Sequence, residues 1–224
     1  MSKFPLAENS MVFPTLQRGV KSARTQKINH NSIRSLLGTS WLTLPLSTQR
    51  RFAKFHDQSE PVTYKGTVTH TKLSRVGWCL AQLLRLIGAP LPLHTKPGPA
   101  MVSVSPSKTD AALGGQCWTR LYSGETRFPQ VISSVKRFRG KTGLEEYLGF
   151  GLAIALKLKV HEKTLVFNSA GYYWFGIPLP SPLTPTMQVI HREEENGQFS
   201  FALRVHHQWC GNLVEQLAFF KEQL

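Results

Sequence analysis

The feature that most constrains this chain is an alternation of residue types close to its C-terminus. From Gln198 to Trp209 the odd positions are apolar or histidine, and the even positions are mostly small or polar. Strand side chains alternate between two faces, so this pattern predicts a strand whose odd positions face a protein interior. Asn196-Gly197 lies directly before it, after the strand-like run from Met187 to Glu195. Asn-Gly between two such runs is a strong hairpin signal, because both residues tolerate positive φ.

Further β-branched or alternating runs predict six more strands: Val62 to His70, Met101 to Ser105, Gln116 to Tyr122, Val131 to Arg139, Leu152 to Val160 and Leu165 to Phe175. Helical spacing of leucines predicts a helix from Arg75 to Ile87, and a second helix follows Ser47. Short connections between consecutive strands favour antiparallel pairing. For Asn212 to Leu224, the apolar positions fit either a helix or a strand.

These patterns predict an α+β fold that is mainly antiparallel β. We expect a strongly curved sheet of about seven to nine strands, covered by one or two helices, because curling removes the exposed edges of a large sheet. Closure into a lipocalin-like barrel is the first choice. A helix-grip (START-like) sheet is the alternative, and a helical C-terminal segment would favour it.

The positive charge of the chain is concentrated at its N-terminus. Residues 1–56 contain nine Lys or Arg residues and one acidic residue, within a chain of 224 residues and net charge +14. We predict a flexible basic extension over residues 1–33 and a single β-rich domain over residues 34–224. A basic segment of this kind can contact nucleic acid or an anionic membrane through residues 1–56, although it also fits a solvated tail.

Cysteine usage and hydropathy predict a soluble cytoplasmic protein, with peripheral membrane association as a further option. Cys79, Cys117 and Cys210 form no CxxC pattern, which favours a reducing compartment. No secretory signal is recognisable, and the longest apolar run, Leu148 to Leu156, is too short to span a bilayer as a helix. The sequence does not indicate an oligomeric state.

The sequence predicts no catalytic residue, metal site or cofactor. The GxSxG, GxxxxGK and HExxH motifs are all absent. His206 and His207 are adjacent in a predicted strand and therefore point to opposite faces, which disfavours a shared metal ion. Glu145 and Glu146 precede a predicted turn, where glutamates are expected to be solvated.

Binding of a small molecule is the function that the patterns favour. Trp118, Arg120 and Tyr122 share one strand face, which places a guanidinium between two aromatic rings and suits an anionic or polar head on an apolar ligand. A cation–π pair on the outside of the sheet is the competing interpretation. The candidate ligand-binding residues are Trp118, Arg120, Tyr122, Phe128, Trp174, Phe199, Phe201 and His207. The predicted function is a non-enzymatic module for a hydrophobic or amphipathic, lipid-like molecule, and the rival is a filled core.

From about Leu46 to Leu224 the chain resembles domain-of-unknown-function family 4166, found alone or at the C-terminus of saccharopine-dehydrogenase-like proteins. The resemblance is carried by the segment Leu86 to Pro92, Trp118-x-Arg120 with Phe128 downstream, Trp174-x-Gly176-Ile177-Pro178-Leu179-Pro180 with Leu183 and Pro185, and Glu193 before Gly197-x-Phe199-x-Phe201. It implies a terminal strand rather than a helix. It also implies a second possible function, as an accessory domain of a nicotinamide-dependent oxidoreductase system, and it supplies no established activity.

Overall fold

Ten antiparallel strands close into a barrel in the computed structural model, which describes residues 32–53, 61–86, 88, 91, 96–110, 114–123 and 130–222. The strands are β1 (Val62–Leu73), β2 (Gly98–Pro106), β3 (Gln116–Tyr122), β4 (Gln130–Arg137), β5 (Glu145–Gly149), β6 (Leu152–His161), β7 (Thr164–Trp174), the two-residue β8 (Ile177–Pro178), β9 (Thr186–Glu193), β10 (Phe199–His207) and β11 (Gly211–Glu222). The α-helices are α1 (Ile33–Leu37), α2 (Leu46–Ala53) and α3 (Arg75–Leu86).

The barrel is an up-and-down meander. Each strand pairs with its neighbours in the chain, β9 follows β7, β8 lies at the margin on β7, and β1 pairs with β11 to close the ring. The expected α+β, mainly antiparallel barrel is confirmed. The C-terminal segment is strand β11, in which Leu213, Val214, Ala218 and Phe220 are buried. The helix-grip alternative is therefore wrong, because the segment pairs with β1 to close the barrel, with Ala218 and Phe220 in the lining of its interior.

The hairpin predicted from Asn196-Gly197 is present. Asn196 and Gly197 have φ values of 61° and 70°, and β9 pairs with β10 on either side of them. Phe199 and Val205 face the core, as the alternation predicts. Trp209 was expected on the same face, but it lies in the β10–β11 turn and is 69% exposed, because a bulge after Val205 and the end of the strand break the alternation.

The two ends of the barrel differ. At the end that we call the cap end, α1, a short 3-10 helix from Gly38 to Thr43 and α2 bury Ile33, Trp41, Leu44 and Phe52 against the strands. Residues 32–53 of the basic N-terminal segment are thus folded onto the barrel, and Arg51 is buried there rather than free for a polyanion. Residues 1–31, which include most of the predicted flexible extension, lie outside the described residues.

The other end, which we call the open end, carries the β1–β2, β3–β4, β5–β6, β7–β9 and β10–β11 connections. Helix α3 belongs to the first of these and confirms the helix predicted from Arg75. It lies directly on β11, since a Cβ at Gly77 would be 2.0 Å from the carbonyl oxygen of Leu213. Glycine at this position allows the helix backbone to approach the barrel closely. None of the described helices is long and apolar enough to cross a membrane.

A charged cluster in the wall of an apolar cavity

The barrel interior contains a cavity of about 340 Å³. Trp118 and Phe167 lie at its inner end, where Phe52 of α2 packs on both rings with centroid distances of 6.3 and 5.8 Å. From there the cavity extends to Leu84 and Leu183 at the open end. Most of its wall is apolar, and its size lies within the range of small-molecule sites, roughly 300 to 1,000 Å³.

One side of this wall carries a cluster of charged side chains. Glu146 Oε1 accepts a hydrogen bond from Ser134 Oγ at 2.6 Å and lies 3.2 Å from Lys136 Nζ and 3.5 Å from an Arg120 nitrogen. Arg120 also donates to Ser134 Oγ at 3.1 Å. The cluster therefore holds two cations and one anion against an otherwise apolar cavity.

Strand register explains how these residues meet. On β3, Trp118 and Arg120 are two residues apart and share the inner face, and on β4 Ser134 and Lys136 do the same. Trp118 pairs with Ser134, and Lys136 pairs directly with Glu146 of β5. A cross-strand pair of opposite charge is a favourable arrangement in a sheet.

Glu145 and Glu146 were expected to be solvated, and this prediction is wrong. They are 7% and 6% exposed, and they lie in β5, a strand that the sequence patterns did not predict. Glu146 points into the cavity. Glu145 forms ion pairs instead, with its Oε1 2.5 Å from Arg137 Nε and 3.0 Å from Arg139 Nε. The strand has only five residues, and cationic partners on β4 compensate its two carboxylates, so no hydrophobic alternation marks it.

Burial and mutual attraction act in opposite directions on the charges of the cluster. Burial lowers the pKa of Lys136, and although Glu146 partly offsets this, the pKa falls to about 8. Burial by itself would raise the pKa of Glu146, but Lys136, Arg120 and the Ser134 hydrogen bond together lower it to about 2. Near pH 7 the cluster therefore carries two positive charges and one negative charge.

The predicted trio on β3 lies inside the barrel. Trp118, Arg120 and Tyr122 all line the cavity, so the interpretation as an outward cation–π pair is wrong. The cation that lies over a ring is Lys136, with Nζ 4.6 Å from the centroid of Trp118. The Tyr122 hydroxyl donates to Gln216 Oε1 at 3.4 Å.

The other candidate residues are dispersed. Phe201 lines the cavity, and Phe199 is completely buried in an aromatic cluster. His207 is buried near the open end, with its ring 5.5 Å from that of Trp209, and Trp174 is 49% exposed at that end. Phe128 lies outside the described residues. The sequence therefore identified four residues that line the cavity, whereas it missed Ser134, Lys136 and Glu146.

The histidine at the centre of the aromatic cluster is His191, which sequence patterns did not single out. It is fully buried, with ring centroids 5.1 Å from Phe52, 5.3 Å from Phe199 and 4.9 Å from Phe201. Its Nε2 lies 2.9 Å from Arg51 Nη1. Since a guanidinium can only donate, Nε2 accepts, and the neutral ring carries its proton on Nδ1.

His191 is expected to make stability depend on pH between about 5 and 6.5. Burial and the adjacent Arg51 lower its pKa from 6.5 to about 3. Below pH 6.5 this histidine becomes protonated in the unfolded chain but stays neutral in the folded chain. The free energy of unfolding therefore decreases as the pH is lowered, by about 2 kcal/mol at pH 5. Urea unfolding of His191→Gln should show a smaller loss over this range than the unsubstituted protein. His161→Gln, at an exposed histidine, is the control, and an equal pH slope in all three proteins would contradict the assignment.

Comparison with protein families gave one match, to the family described as domain of unknown function (DUF4166), over residues 44–220. No curated protein and no solved structure matched the chain. The predicted oxidoreductase partner and the predicted contact of residues 1–56 with nucleic acid or anionic membrane stay predictions.

Proposed function

The chain belongs to the DUF4166 family, and we propose that its barrel is a non-enzymatic binding module for an amphipathic small molecule with an anionic head. The observation that carries this proposal is the combination of an apolar cavity of about 340 Å³ with a single charged cluster on its wall. An apolar pocket with a few convergent polar groups is the usual form of a small-molecule site. The apolar part of the ligand would lie along the leucine and aromatic side chains towards the open end.

The charge balance favours an anionic rather than a neutral head. Lys136 and Glu146 already form a close pair, with side chains 10% and 8% exposed. Arg120 contacts Glu146 only at 3.5 Å, and its side chain is 24% exposed. These contacts to Ser134 and Glu146 use two of its five N–H donors. A carboxylate at Arg120 would bring the cluster to neutrality and could be held by two parallel hydrogen bonds.

Binding of dodecanoate and of dodecanol, each measured below its aggregation concentration, tests this proposal. We expect dodecanoate to bind more tightly, and Arg120→Gln to weaken its binding by roughly tenfold to a hundredfold, since a hydrogen bond to a charged group contributes about 1.5–3 kcal/mol. Dodecanol binding should change little. Above pH 8 the affinity for dodecanoate should fall as Lys136 loses its proton, whereas the affinity for dodecanol should stay constant.

The matched control is Arg204→Gln, at an exposed arginine on β10, which should leave both affinities unchanged. Native mass spectrometry of the purified protein gives an independent measurement, with a co-purified small molecule as the expected result. If neither probe binds and no molecule co-purifies, the binding proposal is wrong. If both probes bind equally and Arg120→Gln has no effect, the anionic head is wrong while the apolar cavity remains a binding site.

A further inference from the structure

Large apolar side chains are exposed mainly at the open end. Of the fourteen that the described residues expose, eleven lie in connections or strand ends there, and the other three, Leu36, Leu42 and Leu46, lie at the cap end. The open-end residues include Trp78 and Leu86 of α3, Phe150, Phe175, Ile177 and Trp209. Exposed apolar side chains are informative where they are contiguous, because contiguous apolar patches are typical of contact surfaces.

Three of these residues form an ordered aromatic group. Phe150 in the β5–β6 turn and Phe175 in the β7–β8 turn have ring centroids 5.7 Å apart, and Trp174 is 6.0 Å from Phe175. The Trp174 indole N–H donates to the Phe150 carbonyl at 3.1 Å, and the Phe175 backbone N–H donates to the Gly151 carbonyl at 2.9 Å. The two turns thus hold their rings together, although the rings are 61% and 66% exposed.

The backbone of both turns disfavours phenylalanine. Phe150 and Gly151 have φ values of 44° and 77°, and Phe175 and Gly176 have 48° and 82°. Two-residue hairpin turns with positive φ at both positions favour Asn-Gly, and a bulky residue there is disfavoured because its Cβ approaches the following carbonyl oxygen. At the cap end, Glu162 and Lys163 form a two-residue turn with φ values of 47° and 62°, and Asn196-Gly197 has similar angles. Backbone of this kind therefore occurs at both ends of the barrel. What distinguishes the open end is that Phe150 and Phe175 place exposed aromatic rings where asparagine would be favoured, which points to a role outside folding.

Charge at the open end is compatible with an anionic surface. Within the described parts of α3 and of the β5–β6, β7–β9 and β10–β11 connections, the charged side chains are Arg75 and Arg85, and acidic residues are absent. Both arginines are exposed. Leu84 and Leu183, from two of these connections, also line the cavity. Leu183, which is 69% exposed, therefore belongs both to the apolar surface of the open end and to the cavity wall.

We propose that the open end docks on the surface of a lipid bilayer, with the rings of Phe150, Trp174 and Phe175 inserted at the level of the headgroups. Tryptophan and other aromatic side chains are favoured at this depth, and basic residues add attraction to anionic lipids. Docking in this orientation would turn the cavity towards the membrane, so that a ligand could pass between the two. Only this passage of a ligand rests on the proposed binding function. The docking surface itself does not depend on a ligand.

Substitution by asparagine separates docking from folding. In Phe150→Asn/Phe175→Asn both turns receive the residue that they favour, so resistance to urea should be unchanged or increased. Binding to vesicles of phosphatidylcholine with phosphatidylserine, measured by flotation, should fall at least tenfold, because each ring loses its burial in the lipid interface. Vesicles of phosphatidylcholine alone should bind the unsubstituted protein more weakly, and added salt should weaken binding to the mixed vesicles.

The control is Leu42→Asn, which removes an apolar side chain with 70% exposure at the cap end and should leave flotation unchanged. If the unsubstituted protein does not bind either vesicle, or if Leu42→Asn reduces binding as much as the double substitution, the proposal is wrong. If ultracentrifugation shows a dimer that the double substitution dissociates, while vesicle binding is unaffected, the surface is a protein interface and the proposal is also wrong. Dodecanoate binding without vesicle binding would leave the binding function intact and reject docking alone.

Discussion

Replacing Arg51 by methionine is expected to lower the free energy of unfolding by about 3–5 kcal/mol, the usual cost of removing one partner from a buried ion pair. Arg51 Nη1 forms an ion pair with Glu193 Oε1 and contacts Nε2 of His191. Its guanidinium carbon lies 3.7 Å from the ring centroid of Phe199. Methionine would keep much of the packing, but Glu193 would retain only Thr48 as a described hydrogen-bond partner.

Urea unfolding at pH 7 measures this loss. Arg50→Met is the matched control, because Arg50 is the neighbouring arginine of α2 and its side chain is exposed, so its substitution should change stability by less than about 0.5 kcal/mol. Without the positive charge of Arg51, the pKa of His191 should also rise, which would reduce the loss of stability between pH 6.5 and 5. Equal effects of the two substitutions would show that the contacts of Arg51 do not hold α2 on the barrel.

The barrel was predictable because most of its strands alternate in the way that a half-buried sheet requires. The pattern of Phe199 to Val205 and the Asn196-Gly197 turn were read correctly from residue types alone. For β11, the apolar positions fitted both a helix and a strand, with only a weak preference for the strand. The segment is a strand because β11 pairs with β1 and so closes the barrel. This pairing joins the two ends of the sheet, and a local sequence pattern contains no information about it.

The charged cluster was only partly predictable, for a physical reason. Arg120 could be placed on the same strand face as Trp118 and Tyr122 from their spacing, but the pattern left open whether that face points into the barrel, as it does. The buried position of Glu146 could not be predicted, since a glutamate is normally solvated and becomes a buried residue only when cations from another strand face it. The relevant information is the register of Lys136 with Glu146, a tertiary feature. His191 was missed similarly, because its partner Arg51 is 140 residues away.

Substitution of Glu146 by glutamine should destabilise the free protein and strengthen its response to an anionic ligand. Glutamine keeps the shape of the side chain but leaves Arg120 and Lys136 without the carboxylate, so we expect a loss of about 3 kcal/mol at pH 7. The pKa of Lys136 should fall further below its value of about 8. In the variant, Lys136 then loses its proton in the folded state below pH 8, while it stays protonated in the unfolded chain. The free energy of unfolding of the variant should therefore rise with pH in this range, and its difference from the unsubstituted protein should shrink as pH rises towards 8. Glu195→Gln, at an exposed glutamate, should be neutral.

The same substitution discriminates between a binding site and a structural ion cluster. A carboxylate ligand at Arg120 would supply the negative charge that Glu146→Gln removes, so dodecanoate should raise the Tm of the variant by more than it raises the Tm of the unsubstituted protein. Dodecanol lacks the charge and should not. If the variant is destabilised but dodecanoate shifts both Tm values equally, the cluster is a structural feature of the barrel wall, because the ligand then gains nothing from the uncompensated cations. A larger shift with dodecanoate alone would locate the head of the ligand at Arg120 and Lys136.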